Sequence, residues 1–345
     1  MASMRALLLS EKLAYSAAVP DPTPLAGEAL VEVRQAGICN TDVELVRGYM
    51  GFSGIPGHEF VGTLRHVPAG VRDEAGNPLE EGCRVVAEIN CSAPGSLLSF
   101  ADRAHDPCRT TLGIFRRHGA FAEYLTVPAE NLHRVPDEVS DDQAIFVEPL
   151  AAALQVPTQV KIAPTDQVAV LGDGKLGLLC AQVLAKTTAA QVLAIGKHEQ
   201  KLAILDRCGV RTQRLTANPE TPPARFDVVV ECTGSPAGLA QAIALLRPRG
   251  TLVLKSTYAP PSSTSDPSLS KQIHLQLARA LTQIVIEEIH VVGSRCGPFS
   301  AALRLLAEKR ISVEPMIHAR YALADGVAAF ARATEPGVLK VVLTP

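Results

Sequence analysis

The chain has 345 residues, of which 47% are hydrophobic and 20% are charged, and its formal net charge is -2 at pH 7. This composition is typical of a globular protein, and the length exceeds the size at which one hydrophobic core stops growing, so we expect two domains. A chain with so little net charge gives no electrostatic reason to expect a nucleic acid or an anionic membrane as its partner.

The N-terminus and the cysteines predict a cytoplasmic protein. The apolar run in MASMRALLLSEKLAY is too short for the central region of a signal peptide, and no segment reaches the roughly 18 uncharged apolar residues of a membrane helix. The eight cysteines are scattered along a chain without secretory features, which favours reduced thiols or metal ligands over a disulfide framework. We therefore expect neither a membrane anchor nor structural disulfides.

The first 135 residues predict an irregular, mostly β domain. Short strand-like segments are separated by Gly and Pro, and they read ALVEVRQAGI, HEFVGTLRHV, CRVVAEI and FAEYLTV. The segment SDDQAIFVEPLAAALQV then starts with a capping box, Ser140 followed by Gln143, and continues in good helix formers. We expect one helix there, closing the first domain.

From Gln167 the chain alternates continuous apolar strands with helical stretches, beginning QVAVLG, KLGLLCAQVLA and QVLAIG. Apolar strands separated by helices predict a parallel sheet covered on both faces. The expected fold class is therefore α/β, with a doubly wound Rossmann domain over 153–293 and a mostly β catalytic domain over 1–152 and 294–345. Within 258–290, a Pro- and Ser-rich stretch predicts a surface loop followed by a short amphipathic helix, either a solvated insertion or a partner surface.

The stretch VLGDGKLG predicts a dinucleotide site. Gly172, Gly174 and Gly177 have the G-x-G-x-x-G spacing between a strand and a helix, with Lys175 and Leu176 completing the loop. The glycines allow a tight turn, a close backbone approach to pyrophosphate and close helix packing, and the helix N-terminus attracts the anion. The motif alone is weak evidence, but the strands and helices around it are those that it requires.

The second strand of this domain favours NADP over NAD. It ends in Gly196 followed by Lys197 and His198, where an NAD site usually carries Asp or Glu for the ribose 2′-hydroxyl. A small residue followed by a cation leaves room and charge for a 2′-phosphate. Glu199 is close enough to keep NAD open as an alternative.

A group of possible metal ligands lies in the first domain. Cys39 in GICNTD, His58 and Glu59 in GHEF and Glu148 in FVEPLA provide a thiolate, an imidazole and carboxylates, which are ligand types for zinc. A lone cysteine is more often a buried thiol, and a lone histidine a hydrogen-bonded core residue. Glu148 lies in an apolar run, where a carboxylate is costly to bury without a partner.

The motifs GICNTD, GHEFVG, FVEPLA, VLGDGKLG, VECTG and LKVVL, in this order and over essentially the whole chain, resemble the zinc-dependent medium-chain alcohol dehydrogenase family. The resemblance is to its sorbitol, threonine and glucose dehydrogenase-like branch. It implies a GroES-like catalytic domain and one catalytic zinc held by Cys39 and His58. It also implies that Glu59 is the glutamate that follows the zinc-binding histidine, and that Glu148 is the E-P glutamate that members of this branch use or exchange at the metal.

The resemblance implies roles for the neighbours of these ligands. Thr41 would accept the alcohol proton, although it could equally cap a helix. Asp42 would orient the histidine from behind. Many family members end the proton relay at a histidine where this chain has Glu44, so Glu44, ordered water or the cofactor ribose would finish it.

Further cofactor contacts are expected at the ends of parallel strands, where the crevice of such a sheet lies. The strand-end residues are Thr233, Gly234, Gly293 and Ser294. The resemblance adds Lys340 as a basic residue that reaches the pyrophosphate.

The chain departs from the family in the lobe that often carries a structural zinc on four cysteines. Cys91 and Cys108 are kept, but Pro94 and Leu97 stand at the middle spacings. Two cysteines cannot close a tetrahedral site, so we expect this zinc to be lost. A mixed site that adds Asp102 and His105 is the alternative.

These observations predict a zinc-dependent oxidoreductase that transfers a hydride between an alcohol or polyol, or the corresponding carbonyl, and NADP or NAD. The expected partner is a small-molecule substrate, and the resemblance implies a homodimer or homotetramer. Two alternatives remain: a zinc-free NADPH-dependent reductase of the same superfamily, which needs neither Cys39 nor His58, and a non-catalytic dinucleotide-binding protein.

Overall fold

The computed structural model describes residues 3–92, 98, 100–188, 190–215, 226–258 and 267–345. The chain forms two compact units. Unit 1 consists of Met1–Ala151 and Gly297–Pro345, and unit 2 of Ala152–Cys296. The units divide after residues 151 and 296. The boundaries expected from the sequence lie close by, after residues 152 and 293.

The N-terminal part of unit 1 is built from short strands. In the described residues these are β1 (Ser3–Leu9), β2 (Leu13–Pro20), β3 (Glu28–Gly37), β4 (Glu59–His66), β5 (Arg84–Ala87), β6 (Asn90–Cys91), β7 (Thr110–Leu112), β8 (Arg116–Arg117), β9 (Tyr124–Pro128) and β10 (Leu132–Arg134). Its helices are α1 (Asn40–Val46), α2 (Phe100–Arg103) and α3 (Asp141–Ala144), and α4 (Val147–Gln159) begins in unit 1 and ends in unit 2. The expected irregular, mostly β texture is therefore present.

The single helix expected from Ser140 onward is wrong, because the structure divides it into α3 and α4. The capping box itself is present, with the Ser140 hydroxyl accepting the backbone N–H of Gln143. Four residues after Ile145 stands Pro149, which has no N–H to donate to the Ile145 carbonyl. The helical hydrogen bonding is interrupted there, and α4 starts again at Val147.

Unit 2 is a doubly wound α/β unit. Its elements are β11 (Gln167–Leu171), α5 (Lys175–Thr187), β12 (Gln191–Gly196), α6 (Glu199–Arg207), β13 (Arg211–Arg214), β14 (Phe226–Glu231), α7 (Pro236–Leu245), β15 (Leu246–Leu254), α8 (Pro267–Ile286) and β16 (His290–Gly293). The described strands form one parallel sheet in the order β13-β12-β11-β14-β15-β16. This is the Rossmann strand order, and it confirms the predicted fold class.

The order of this sheet fixes where a ligand can bind. Successive strands run outward from β11 through β12 to β13, and then from β14 to β16 on the other side. Ligands of open α/β sheets bind at the carboxyl ends of the strands where the order reverses. That point is the end of β11, where the glycine motif begins.

The C-terminal return adds α9 (Phe299–Ala307), β17 (Ile317–Ala322), α10 (Gly326–Ala333) and β18 (Lys340–Thr344) to unit 1. In the described residues, the main sheet of unit 1 has the order β10-β5-β4-β3-β18-β17, with β9 also paired to β3. β18 is thus inserted beside β3, which leads directly to the metal-ligand candidates.

The segment before β16 is more helical than the sequence predicts. The amphipathic helix expected over 271–285 is part of the longer α8. Most of the surface loop expected before it, residues 259–266, lies outside the described residues. Ala280 and Ile284 pack against the core of unit 2, whereas Val285 and Ile286 are 76% and 74% exposed.

Among the helices that the structure describes, none combines the length and the hydropathy that crossing a membrane requires.

Candidate functional site

Three of the predicted metal ligands meet in unit 1. Candidate ligand atoms of Cys39, His58 and Glu59 all lie within 4.8 Å of one another. Antiparallel pairing of β3 with β4 sets Gly37 opposite Glu59, so the residues that follow β3 lie beside those that begin β4. Sheet register therefore brings together side chains that are some 20 positions apart in the sequence.

Asp42 holds this group from behind and is completely buried. Its carboxylate accepts the backbone N–H of Cys39 at 2.8 Å and that of Gly57 at 3.2 Å. The same carboxylate lies 3.3 Å from Nδ1 of His58. Asp42 thus faces the Nδ1 side of the imidazole and leaves the Nε2 side to a metal, a geometry that fits the orienting role predicted for it.

The protonation of His58 follows from these neighbours. Burial acts to lower the pKa of His58, but the charge and hydrogen bond of Asp42, and then those of Cys39, outweigh it and raise the pKa well above its usual value. An imidazole must lose this proton to bind a metal. Metal and proton therefore compete for one buried site.

Glu59 has a second partner that the sequence did not predict. Its carboxylate accepts a hydrogen bond from Nζ of Lys340, and the two side chains are 1% and 0% exposed. The ammonium also lies 5.2 Å from the centre of the Phe146 ring. The prediction that Lys340 reaches the cofactor pyrophosphate is corrected here, because a buried, ion-paired ammonium in unit 1 is not available to a phosphate.

The donor set of Cys39, His58 and Glu59 fits zinc, which binds thiolate, imidazole and carboxylate in four-coordinate sites. Three protein ligands leave one position for water or substrate, as catalytic zinc sites require. The fourth predicted ligand, Glu148, does not belong to this group; it lies half-buried in the first turn of α4. The assignment of Glu148 as a metal ligand stays a prediction.

The predicted proton-transfer residues lie on α1, which Cys39 caps. The Thr41 hydroxyl is half-buried and 3.8 Å from the Cys39 sulfur. Glu44, one turn further, pairs with Arg47, whose Nη1 is 2.7 Å from its carboxylate. Thr41 is therefore adjacent to the ligand group, whereas the Glu44 carboxylate is already engaged.

The mixed metal site considered as an alternative for the lobe is not assembled by the described residues. Cys91 is buried, and its sulfur lies beside the Ile89 carbonyl and the Asn131 amide, while Cys108 is exposed. Burial raises the pKa of the Cys91 thiol to about 12, which disfavours the thiolate that a metal needs. Asp102 and His105 do not join these cysteines in a ligand group within the described chain. Pro94 and Leu97, on which the loss of the structural zinc was predicted, lie outside the described residues.

The glycine motif of unit 2 has the geometry of a dinucleotide cradle. Gly172 has a φ of +118°, which side-chain-bearing residues rarely adopt. A Cβ at Gly177 would lie 2.0 Å from the Gly172 carbonyl oxygen, whereas one at Gly174, the residue that caps α5, would meet nothing within 4 Å. A closely packed loop with open space at the helix N-terminus fits a pyrophosphate.

Asp173, at a position that the glycine motif leaves unspecified, places its carboxylate at the end of β12. The Asp173 carboxylate accepts the backbone N–H groups of Lys197 and His198 at 2.6 Å each, and it is 3.0 Å from the His198 Nδ1. The predicted residues Gly196, Lys197 and His198 thus surround a carboxylate that sequence analysis missed. A signal was available, because a strand ending in Gly leaves space that a neighbouring side chain can fill.

A second cation lies next to this group. Register pairs Gly196 of β12 with Arg214 of β13, and the exposed Arg214 side chain is 3.6 Å from the Glu199 carboxylate. Sequence analysis missed Arg214 because the segment Arg-Thr-Gln-Arg carries no apolar pattern.

The other predicted cofactor residues lie at strand ends of the same sheet. After β14, the buried Glu231 carboxylate accepts the backbone N–H of Thr233 at 2.6 Å and that of Gly234 at 3.4 Å. After β16, the Ser294 hydroxyl is 3.3 Å from the buried Lys255 ammonium, and Gly293 is exposed. These turns are therefore ordered by internal carboxylate and ammonium groups.

Family models match almost the whole chain. A model of the alcohol dehydrogenase GroES-like domain matches residues 25–137, and one of the glucose dehydrogenase C-terminus matches residues 142–344. A sorbitol dehydrogenase of Halalkalibacterium halodurans is 27% identical over 343 residues, covering 94% of each chain. An L-threonine 3-dehydrogenase of Streptomyces coelicolor is also 27% identical, over 95% of each chain.

Two solved structures have the same fold as this chain. A protein described as a zinc-binding dehydrogenase from Sinorhizobium meliloti, bound to NADP, has a TM-score of 0.80 at 25% identity over 100% of both chains. A 2R,3R-butanediol dehydrogenase from Bacillus subtilis shares the fold, with a TM-score of 0.80 at 24% identity over 99% of this chain and 100% of that one.

Proposed function

This chain belongs to the zinc-type medium-chain alcohol dehydrogenase family and is a nicotinamide-dependent oxidoreductase of small-molecule alcohols, and we propose that its chemistry is performed at Cys39, His58 and Glu59. The observation that carries the proposal is the convergence of these three ligand types within 4.8 Å. The reaction removes the hydroxyl proton and the carbinol hydride of an alcohol, or adds both to a carbonyl.

In the proposed site, Cys39, His58 and Glu59 would hold one zinc ion. Zinc bound there would supply a Lewis acid that lowers the pKa of a substrate hydroxyl. Asp42 would keep the His58 ring in place through its Nδ1 side, and Lys340 would balance the charge of Glu59. These contacts would keep the ligands in one geometry whether or not substrate is present.

Thr41 would accept the hydroxyl proton of the substrate and release its own. Support for this role is its position 3.8 Å from the Cys39 sulfur, next to the ligand group. The pairing of Glu44 with Arg47 favours a route from Thr41 to solvent over one through Glu44. A threonine hydroxyl suits this task because it donates and accepts in one group.

We propose that the hydride partner is NADP in preference to NAD. The exposed side chains of Lys197 and Arg214 supply positive charge for a 2′-phosphate beside the end of β12. His198 adds a half-exposed imidazole. The proposed dinucleotide contacts are otherwise the predicted glycine loop, Gly172–Gly177, and the turns after β14 and β16.

A polyol or amino alcohol is the proposed substrate class, by similarity to the sorbitol and L-threonine dehydrogenases. We also propose a homodimer or homotetramer. In support, β16 is the outermost strand of its sheet in the described residues, and Val291 on it and Val285 on α8 are exposed. An edge strand with exposed apolar side chains is suited to pair with another copy.

The test is zinc content together with turnover. Protein purified without added metal would be analysed for zinc per chain, beside Cys39→Ser and a matched control, Cys83→Ser, whose half-buried thiol lies outside the ligand group. We expect about one zinc in the parent and the control, none in Cys39→Ser, and alcohol oxidation in a polyol panel that follows zinc content.

Zinc-free protein that reduces carbonyls with NADPH would instead support the reductase alternative. Cofactor binding without turnover of any substrate would support the non-catalytic one. Thr41→Ala tests the proposed proton transfer in the same experiment, because it should abolish alcohol turnover and leave the zinc content unchanged.

A further inference from the structure

The end of β12 holds a carboxylate that does not belong to β12. A Cβ placed on Gly196 would lie 2.6 Å from the Asp173 Cβ and 2.7 Å from its Oδ2. The Asp173 side chain therefore fills the space that a strand-end side chain would take. In NAD sites, an Asp or Glu at that strand end binds the ribose 2′-hydroxyl.

Asp173 also uses the hydrogen-bond donors of the strand end. Its carboxylate accepts both the Lys197 and the His198 backbone N–H and contacts the His198 ring, while only 11% of its side chain is exposed. Burial acts to raise the pKa of Asp173, but the hydrogen bonds from His198 and Lys197 and the charge of His198 outweigh it, and the pKa is lowered. The group is thus an anion at neutral pH.

We propose that Asp173 is a specificity-determining residue, which supplies from the glycine loop the carboxylate that β12 lacks and opposes a 2′-phosphate at this subsite. Two effects act in the same direction. The negative charge repels the phosphate, and the two strand-end N–H groups that could bind it are already taken. A 2′-phosphate would then be held by side chains, of which Lys197, His198 and Arg214 lie at this strand end.

The consequence is that the proposed preference for NADP over NAD is smaller than the exposed cations alone would give. The exposed cations favour NADP, as proposed above, and Asp173 limits that preference. This inference rests on the proposed dinucleotide site, but it concerns the change in cofactor preference when Asp173 is altered, whichever cofactor the parent protein prefers.

The test is equilibrium binding, which needs neither zinc nor turnover. NADPH and NADH would be titrated separately into the parent and Asp173→Asn by the change in nicotinamide fluorescence. Adenosine 2′,5′-bisphosphate and 5′-AMP, which differ only in the 2′-phosphate, would be compared by calorimetry. Asn keeps the shape and an acceptor oxygen but removes the charge. The matched control is Asp166→Asn, which removes a carboxylate before the amino end of β11.

Asp173→Asn is expected to raise the ratio of NADPH to NADH affinity about tenfold, the scale of one screened charge near contact distance, through tighter NADPH binding. The bisphosphate should show the same gain and 5′-AMP none, while Asp166→Asn changes neither ratio. If Asp173→Asn does not fold, Asp173→Ser keeps an acceptor without the charge and carries the same expectation.

Three results would overturn the inference, and the first two concern Asp173→Asn. A parallel fall in both affinities would make Asp173 only a brace of the loop, and a selective loss of NADPH would mean that its carboxylate serves the phosphate by orienting His198. The parent ratio tests the proposed NADP preference separately, because an NAD-preferring parent could still show the tenfold change. A parent that binds neither dinucleotide would overturn both proposals.

Discussion

The two candidate sites handle charge in opposite ways. Around the candidate metal ligands of unit 1, Asp42, Glu59 and Lys340 are almost completely buried, and each charge is held by named partners. At the end of β12 in unit 2, the cations Lys197 and Arg214 are exposed. A buried charge network holds its residues in one geometry, because leaving one of its groups unpaired is costly. Changing an exposed charge alters binding affinity only slightly. Chemistry and cofactor preference are thus separately adjustable.

The sharpest test of the buried network is Lys340→Met. It leaves the Glu59 carboxylate buried without its partner, and we expect the free energy of unfolding to fall by about 3–5 kcal/mol. Urea denaturation of metal-free protein measures this. The double variant Lys340→Met with Glu59→Gln should recover much of the loss, and a single variant as stable as the parent would show that Glu59 is not held as an anion.

Another carboxylate of unit 1, the half-buried Glu88, tests the same idea through pH. Burial raises the pKa of Glu88 to about 7, against the opposing effect of His133, which lies 3.3 Å away. The folded protein then holds a proton that the unfolded chain releases near pH 4.5, so this residue makes stability fall as pH rises from about 4.5 to 7.

Glu88→Gln should remove that penalty and be more stable than the parent at pH 8, by up to ~3 kcal/mol, with little difference at pH 4. Thermal unfolding of both proteins across this pH range checks the expectation. Parallel pH curves for parent and variant would contradict it.

Asp42→Asn probes the orienting contact at lower cost. The amide keeps the shape of the carboxylate and can still accept one of the backbone N–H groups, so we expect a loss of about 1–3 kcal/mol in stability. Zinc affinity should fall by about 10- to 100-fold, as for other groups behind metal ligands. Competition with a chromophoric chelator measures the affinity, and unchanged binding would remove Asp42 from the metal site.

We expect the smallest change in stability from substitutions among the exposed cations at the end of β12. Arg214 is 64% exposed, and Arg214→Ala should change the free energy of unfolding by no more than about 0.5 kcal/mol. NADPH binding should weaken several-fold at low salt and less at high salt, with NADH unaffected. Arg211→Ala, on the same strand, is the control. Equal losses for both nucleotides would place Arg214 outside the 2′-subsite.

Local patterns predicted the parts of the fold that are locally determined. The strand QVLAIG and the helix KLGLLCAQVLA correspond closely to β12 and α5, because buried parallel strands are continuously apolar. β13 was missed because an edge strand of four polar residues carries no such pattern. The break between α3 and α4 depended on the missing N–H of one proline.

The residues of the candidate sites also fall into two groups, those that sequence motifs reveal and those whose positions depend on contacts distant in the sequence. Cys39, His58 and Glu59 could be found from motifs because β3–β4 pairing joins the two motifs directly. The position of Lys340 could not, since its contact with Glu59 spans 281 positions and depends on where β18 enters the sheet. Asp173 was overlooked because the glycine motif describes spacing and leaves its intervening residues unspecified.

The insertion of β18 between β3 and β17 has a consequence for biosynthesis. Lys340 follows Glu59 by 281 residues, so at 5–20 residues per second the ribosome needs roughly 15–60 s to deliver it. Throughout that interval the nascent catalytic unit lacks both a strand of its sheet and the cation for Glu59. Zinc captured in that interval would reach the candidate ligands before the cation that balances the charge of Glu59 is present.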